Sequence, residues 1–393
     1  MIPEEPVAVA IVGGGHAGLL LGAALARSGF SVRLVERQPA AAIETATSDG
    51  RNLALLAGSA AVVRRLGAWR PLAPLAEPIE RVAVVDVGGS AGVRYDSLEH
   101  GTGPFGHGFE HVALRRGLLR SFLDHAGQEA MLCDEVAGLE RIEGAARLRL
   151  ASGRQLVARL VIGVDGRGSR VRELARIALD RWSYDQRALT MILRHDRPHR
   201  GTVREWLRSG GPLATLPLRG RRSGITWVER SGDAAALGEL PRQELLATLS
   251  EITGAVLGRL EIESGPSAYP LGAQHARAYV APRVALVGDA AHGVHPIHAQ
   301  GFNMGVADVG ALVDALVAAR ARRLDLGSGE TLLPYERARR GENTQRLWLT
   351  DGLVRLFATD LAPLRLARGL ALDAVERVPP LKRLAVRHGM QTG

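Results

Sequence analysis

The chain opens with an apolar run at 7–12, three glycines, an apolar stretch of helical length, and a second apolar run that closes on Glu36. An uninterrupted apolar run of this length reads as a strand buried on both faces, and strand, turn, helix, strand is a βαβ unit. "IERVAVVDVGGSAGVRY" (79–95) reads as a hairpin around Gly88 and Gly89. "GFEHVALRRGLLRSFLDHA" reads as a short strand running into a helix, and "GRQLVARLVIGVDGRGSRVRE" as strand, turn and helix start. From about 180 to 272 the texture changes to short alternating runs such as "RALTMILRH" and "SGITWVER", the signature of an antiparallel sheet. "RVALVGDAAHG" is again a buried, parallel-type strand. "NMGVADVGALVDALVAARA" is a strongly apolar helix, and the remainder to Gly393 is helical in pattern.

These elements predict an α/β fold in which a Rossmann-like nucleotide-binding lobe is assembled discontinuously, with an inserted antiparallel β-sheet and a C-terminal helical region. The expected division gives 1–72, 106–179 and 273–322 to the nucleotide-binding lobe. It gives 73–105 and 180–272 to the sheet, and 323–393 to the helices. No internal repeat or low-complexity tract is visible.

Composition narrows the classes. A hydrophobic share of 46% and a charged share of 23% are ordinary for a globular protein. No apolar run is expected to reach the length of a membrane span, and the acidic N-terminus does not read as a signal peptide. One cysteine, Cys133, excludes an internal disulfide framework and points to a reducing, cytoplasmic setting. The net charge of +9 rests almost wholly on arginine, since Lys382 is the only lysine. Such a balance fits either a coding bias toward arginine or an anionic partner: substrate, cofactor or acidic membrane. Nucleic acid is not expected, because the arginines are scattered and aromatic content is only 4%.

"GGGHAG" supplies Gly13-x-Gly15-x-x-Gly18 between strand and helix. Gly13 permits the tight turn, Gly15 lets backbone approach a pyrophosphate, and Gly18 lets the helix pack closely. The pyrophosphate would sit on the free N–H groups and positive end of the helix. Glu36 stands where a carboxylate accepts from a ribose 2′-OH, so FAD or NAD is expected rather than NADP. Two further strand-to-helix loops carry Asp165–Gly166 and Gly288–Asp289. Each alone also reads as an ordinary loop with a capping Asp.

The three motifs in this order resemble the flavin-dependent aromatic hydroxylases, single-component FAD monooxygenases, over nearly the whole chain. The likeness extends to the ubiquinone-biosynthesis hydroxylases through "DGRNLALLAGSAAVVRRLGAW", "HVALRRGLL", "WSYDQRA", "EWLRSGGPLATLPL", "YPLGAQHA", "GDAAHGVHPIHAQGFNMG", "YERARRGENTQ" and "TDGLVRLF". The resemblance implies that Gly13, Gly15, Gly18 and Glu36, with Arg37 beside it, hold the ADP half of FAD. Arg51 and Arg115 would contact the pyrophosphate and ribityl region. Asp165 would help close the site, and Gly288 and Asp289 would meet the ribityl chain. Pro296, Gln300, Gly301, Phe302 and Asn303 would run along the isoalloxazine, with the following helix aimed at its pyrimidine edge.

It also implies the reaction. NADPH or NADH, a diffusible reductant without its own Rossmann domain, would reduce FAD. O2 would add as a C4a-hydroperoxide, and oxygen would pass to an aromatic ring. A polyprenylated phenol of ubiquinone biosynthesis is the expected substrate, held in a site that excludes water. Two rivals stay open: a hydroxylase or epoxidase of a soluble aromatic metabolite, and a flavoprotein that has lost oxygenation and serves an assembly. The residues from Thr344 onward carry a net +4, which suits either a solvated helical cap or docking on an acidic bilayer, peripheral on the inner membrane, or on pathway enzymes.

Catalytic residues cannot be named from the sequence. Tyr184, Trp206 and Trp227 are cavity candidates that equally read as core. His292, His295 and His298 are evenly spaced, yet Gly293 and Pro296 prevent one helix face from presenting them, so no metal site is expected. His295 and His298 could polarise a phenol or be structural. In the family the loop reads HPIAGQGFNLG; here His298 replaces a small residue and Ala299 a glycine.

Overall fold

The apolar run Val7–Val12 becomes an inner strand of an eight-stranded sheet in the computed structural model, which describes residues 6–87, 92–101, 103–357 and 362–389. It pairs parallel with Val32–Glu36 on one side and Gln155–Gly163 on the other. Met131–Cys133 and Val284–Leu286 extend the parallel core outward, and Val280–Ala281 finishes one edge. Helix His16–Arg27 packs on this sheet and helix Gln300–Ala321 packs on that helix, burying Leu19, Leu20, Leu25, Val309, Leu312 and Leu316 completely. A strand order that brings residues 7, 155 and 284 side by side makes the lobe discontinuous in sequence, as expected for crossover connections.

The second eight-stranded sheet is built on two 17-residue strands, Leu179–His195 and Leu260–Ala276, paired antiparallel. Arg222–Arg230, Leu213–Leu218 and Thr202–Leu207 continue it by antiparallel pairing. Thr202–Leu207 then runs parallel to Arg81–Asp86, which pairs with Gly92–Asp96. Both arms of the expected hairpin are therefore present; its turn at Gly88 and Gly89 lies outside the described residues. Helices Ser231–Glu239 and Arg242–Thr253 pack on the outer face through Ala234, Leu245 and Leu249 against Leu189, Trp206 and Trp227. Trp206 and Trp227 are thus core residues there.

The sheets do not stop at 180 and 272. The long strands begin at Leu179 and end at Ala276, and His292–Gly293 pairs with Gln274 and His275. A third, three-stranded sheet (Asn52–Leu56, Gly106–Glu110, Glu77–Ile79) lies between the two large ones. Helix Gln300–Ala321 is long and apolar enough to cross a membrane, contrary to expectation, but 61% of its most apolar stretch is buried inside the fold. Its position among helices His16–Arg27, Ala57–Arg65 and Gly329–Phe357 makes it a core helix. Helices Ala362–Arg377 and Pro379–Gly389 follow and pack over the Arg81–Asp96 hairpin.

Candidate active site

Three helices begin at the wall of one cavity of ≈ 1040 Å³: His16–Arg27, His111–Ala126 and Gln300–Ala321. Gly15 and His16, His111, and Gly301 and Phe302 line it from the three starts. Free N–H groups and the positive ends of three helix dipoles therefore face one space, which favours anionic groups there. Away from this end the wall becomes apolar, with Val82, Leu216 and Val228 from the second sheet, Ile79 and the neighbouring Phe105 from the small sheet's edge, and Ala385 from the C-terminal helix.

The glycines of the first turn have three different reasons. Gly13 sits at φ +109°, and a Cβ there would lie 2.4 Å from the Val164 carbonyl oxygen. A Cβ on Gly18 would lie 1.9 Å from the Gly13 oxygen, so helix and turn touch only through glycine. Nothing stands within 4 Å of where a Cβ on Gly15 would be; that space is the cavity. Gly15 is therefore dispensable to the packing and suited to close approach by a ligand.

Behind the turn, Glu36 accepts hydrogen bonds from the Gly14 N–H (2.7 Å) and the Gln38 N–H (3.1 Å). Arg115 donates to the Gly14 oxygen at 2.9 Å and to Gln38 Oε1, and pairs with Glu36 at 3.5 Å. Both charged side chains brace the glycine loop. Arg37 is exposed at the strand end.

The loop carrying the third motif hangs on one buried acid that sequence reasoning missed. Asp308, fully buried, accepts from the Gly288 N–H (3.1 Å), His292 Nε2 (2.6 Å), Arg339 Nε (2.9 Å) and Asn343 Nδ2 (3.0 Å). Burial alone would raise its pKa; His292 and Arg339 outweigh that and hold it below the usual carboxylate range. Arg339 and Asn343 belong to "YERARRGENTQ", so that motif anchors the loop from the next helix. "TDGLVRLF" acts likewise: Asp351 accepts from Trp182 Nε1 (2.9 Å) and the Tyr184 hydroxyl (2.8 Å) of "WSYDQRA". Gln274 of "YPLGAQHA" donates to the Arg167 and Asp289 carbonyls, tying the second and third motif loops together.

Of the residues singled out from sequence, Gly15, Arg51, Gly288, Asp289, Pro296, Gly301 and Phe302 line the cavity. Asp289 presents open surface to it while protein encloses the carboxylate elsewhere. Burial raises its pKa against the pull of His292 and Arg167. Asp165 does not close the site. Its carboxylate accepts from Ser169 Oγ (2.5 Å) and the Val171 N–H (3.0 Å), so it caps the short helix Arg170–Leu174. Asn303 is consumed by bonds to the Leu56 N–H and the Ala54 and Ala299 carbonyls (2.7–2.9 Å). Gln300 accepts from Arg346 at 3.1 Å. Gly13, Gly18, Glu36, Arg37, Arg115, Asp165, Gln300 and Asn303 all lie off the cavity wall, and so does Tyr184.

His292 and His295 are 0% and 1% exposed, one in the Asp308 pair and the other accepting from the Ile297 N–H at 3.2 Å. The His298 side chain lies outside the described residues. Among the described residues no three His, Cys, Asp or Glu converge as metal ligands. The imidazoles that line the cavity are two others, His16 and His111, which meet edge to face at 4.4 Å. His16 Nε2–H donates to the His111 carbonyl (2.9 Å), leaving Nδ1 as an acceptor. Burial, followed by the His111 backbone bond, which opposes it, and nearby arginines, lowers His16 to about 4. Burial, His16 and arginines lower His111 to about 2. Both are neutral at pH 7.

Residues 6–345 match the family described as "FAD binding domain". Ubiquinone hydroxylase UbiL of Rhodospirillum rubrum is 39% identical over 98% of this chain and 89% of its own length. The 3-demethoxyubiquinol 3-hydroxylase of Escherichia coli is 31% identical over 98% of this chain and 99% of its own. Among solved structures, p-nitrophenol 4-monooxygenase PnpA of Pseudomonas putida DLL-E4 shares the fold with a TM-score of 0.79 at 17% identity, covering 98% of each chain. Cavity, glycine turn and relatives agree: the chain belongs to the FAD-binding-domain family and, within it, to the FAD-dependent aromatic monooxygenases.

Proposed function

We propose that this monooxygenase hydroxylates the ring of a polyprenylated phenol in ubiquinone biosynthesis, with NADH or NADPH as diffusible reductant. The observation that carries the reading is the union of two unlike ends in one cavity. Three helix N-termini with Gly15, Arg51 and Asp289 suit a dinucleotide, and an apolar end suits a hydrophobic ring. The names of the similar hydroxylases supply the pathway.

The residues present fit FAD. Gly15 leaves open space where a side chain would block a pyrophosphate, and the Gly301 end of the apolar helix offers N–H groups to an electron-rich ring edge. In this reading Gly15, Arg51, Gly288, Asp289, Pro296, Gly301 and Phe302 touch the cofactor. Gly13, Gly18, Glu36, Arg115, Asp165, Gln300 and Asn303 hold those residues in place, and exposed Arg37 would meet the adenosine end from the strand terminus. Bound FAD supplies activation of O2 for transfer of one oxygen atom to an electron-rich ring carbon. Neutral His16 and His111 add no charge to compete with the arginines for its phosphates, and the apolar wall keeps water from the reacting end. The lobe division 1–72, 106–179 and 273–322 against 73–105 and 180–272 is kept in this proposal as the order of the segments, with the sheet edges moved to Leu179 and Ala276.

Exposed Leu370, Leu381 and Leu384 with exposed Arg383 suit the C-terminal helices to an acidic membrane surface, where such a substrate resides. In this reading the protein is cytoplasmic and peripheral on the inner membrane, near its pathway enzymes. The test is deletion in the source organism, complemented by the wild-type chain, with quinone extraction. Loss of ubiquinone and accumulation of a prenylated precursor one hydroxyl short is the expected result. Normal quinone content with no precursor, in a strain lacking a paralogue, sinks the proposal.

A further inference from the structure

Among the described residues, the apolar end of the cavity holds polar side chains that their surroundings leave unanswered, including the buried Thr215 hydroxyl and one acid, Glu205. Strand Thr202–Leu207 alternates, with Val203 and Glu205 on the cavity side and Trp206 in the core on the opposite face. Register gives the same direction: Glu205 stands opposite Val84 in one neighbouring strand and Ala214 in the other, and both line the cavity. Thr226 and Val228 continue that wall. Glu205 is half-buried, and among the described residues it makes no hydrogen bond or ion pair.

Two comparisons isolate it. Glu229, on the same sheet, is held by Arg208 at 2.5 Å and by Trp227 Nε1 at 2.9 Å. Asp289, the other acid on the cavity wall, stands at the polar end under the influence of His292 and Arg167. An apolar molecule filling the cavity would take water from this half-buried carboxylate, and a polar group so withdrawn nearly always keeps a hydrogen-bond partner, so a partner for Glu205 is to be sought in the occupant itself. Amid a wall chiefly of Val, Ala and Leu, with Thr215 and Thr226 among them, one donor on an otherwise apolar molecule is what this acceptor fits.

Building on the hydroxylase reading, we infer that Glu205 accepts a hydrogen bond from a ring hydroxyl of an otherwise apolar phenol. It thereby selects substrates with a free hydroxyl and fixes which ring carbon faces the polar end. A carboxylate on the hydroxyl also draws its proton away from oxygen, which enriches the ring positions that receive oxygen.

The test uses the flavin-loaded protein as wild type, Glu205→Gln and Glu205→Leu, with 2-geranylphenol and its O-methyl ether as probes. Dissociation constants come from the flavin fluorescence change, and hydroxylated product is counted per NAD(P)H consumed. Wild type should prefer the phenol, and Glu205→Leu should weaken phenol binding about ten- to a hundredfold while the ether stays within about twofold. Glu205→Gln, which matches the shape and keeps one acceptor oxygen, should retain part of the preference at unchanged flavin content. Phenol binding by Glu205→Leu equal to wild type, or wild type binding both probes alike or neither, overturns the inference. A preference that depends on Glu205 without any hydroxylated product would count against the hydroxylase reading and leave the Glu205 assignment standing.

Discussion

Ala299 occupies a conformation that alanine avoids. It caps helix Gln300–Ala321 at φ +52°, ψ +31°, in the left-handed region where a Cβ crowds the backbone. The resemblance to the hydroxylases expects glycine here, and the geometry supplies the reason. The strained residue sits on the cavity wall, and Asn303 Nδ2 fastens its carbonyl at 2.7 Å. That bond, with those to Leu56 and Ala54, keeps the turn in place despite the missing glycine. Ala299→Gly should therefore not destabilise, although glycine usually does. We expect a gain of up to about 1 kcal/mol, from relieved backbone strain offset by the greater freedom of the unfolded chain. Thermal or urea unfolding of the flavin-free protein reads this directly. A loss of more than about 1 kcal/mol would mean that the left-handed turn is not present in solution.

At the scale of elements, the C-terminal helix Pro379–Gly389 is a wall of the cavity. Ala385 lines it, and Val386 is buried against Tyr95, Phe105 and Leu216. Glu376 of the preceding helix accepts from the Arg94 N–H and pairs with Lys382, both at 3.1 Å, clamping the pair of helices to the hairpin. Ending the chain at Val378 should open the apolar end while leaving the glycine turn and Asp308 network untouched. Flavin content should hold, and most NAD(P)H consumed should yield hydrogen peroxide instead of hydroxylated product, because water gains entry. Coupled turnover in the truncated protein would show that the helix is not needed as a wall. Its helical character was legible from the pattern, but its place over the hairpin was not, since a lid against residues some 290 positions earlier leaves no local signature. The same limit applies to the parallel pairing of Thr202–Leu207 with Arg81–Asp86. By contrast, the βαβ unit, the antiparallel strands and the apolar helix were legible because each is written in its own periodicity. At the site, Gly15 and Gly301 were readable from motif letters. His16, His111 and Glu205 were hidden because ordinary residue types become notable only when the fold turns them into one cavity.

At the scale of the whole molecule, four histidines held neutral stand where the sheets meet. His16 and His111 border the cavity. His107 packs edge to face on Trp69 in the small sheet, and His275 bonds Tyr279 at 3.1 Å and pairs in register with His292. Burial is the first cause in each case, taking His16, His107 and His275 to about 4 and His111 to about 2. In the unfolded chain each takes up its proton near pH 6.5. Between pH 6.5 and about 4 the unfolded state therefore binds more protons than the folded one, and stability falls as pH falls. Asp308 acts in a lower window. Its depressed pKa contributes stability that is present above about pH 4 and is lost only as the pH drops further through its folded value. Acid should thus weaken the seams between the sheets before it breaks the Asp308 anchor. The melting temperature should fall by at least about 5 °C between pH 7 and 4.5. His275→Gln, which can still bond Tyr279, should flatten part of that slope. A melting temperature that is level from pH 7 to 4.5 would show that these imidazoles reach water in the folded protein, and that the seams between the sheets are open.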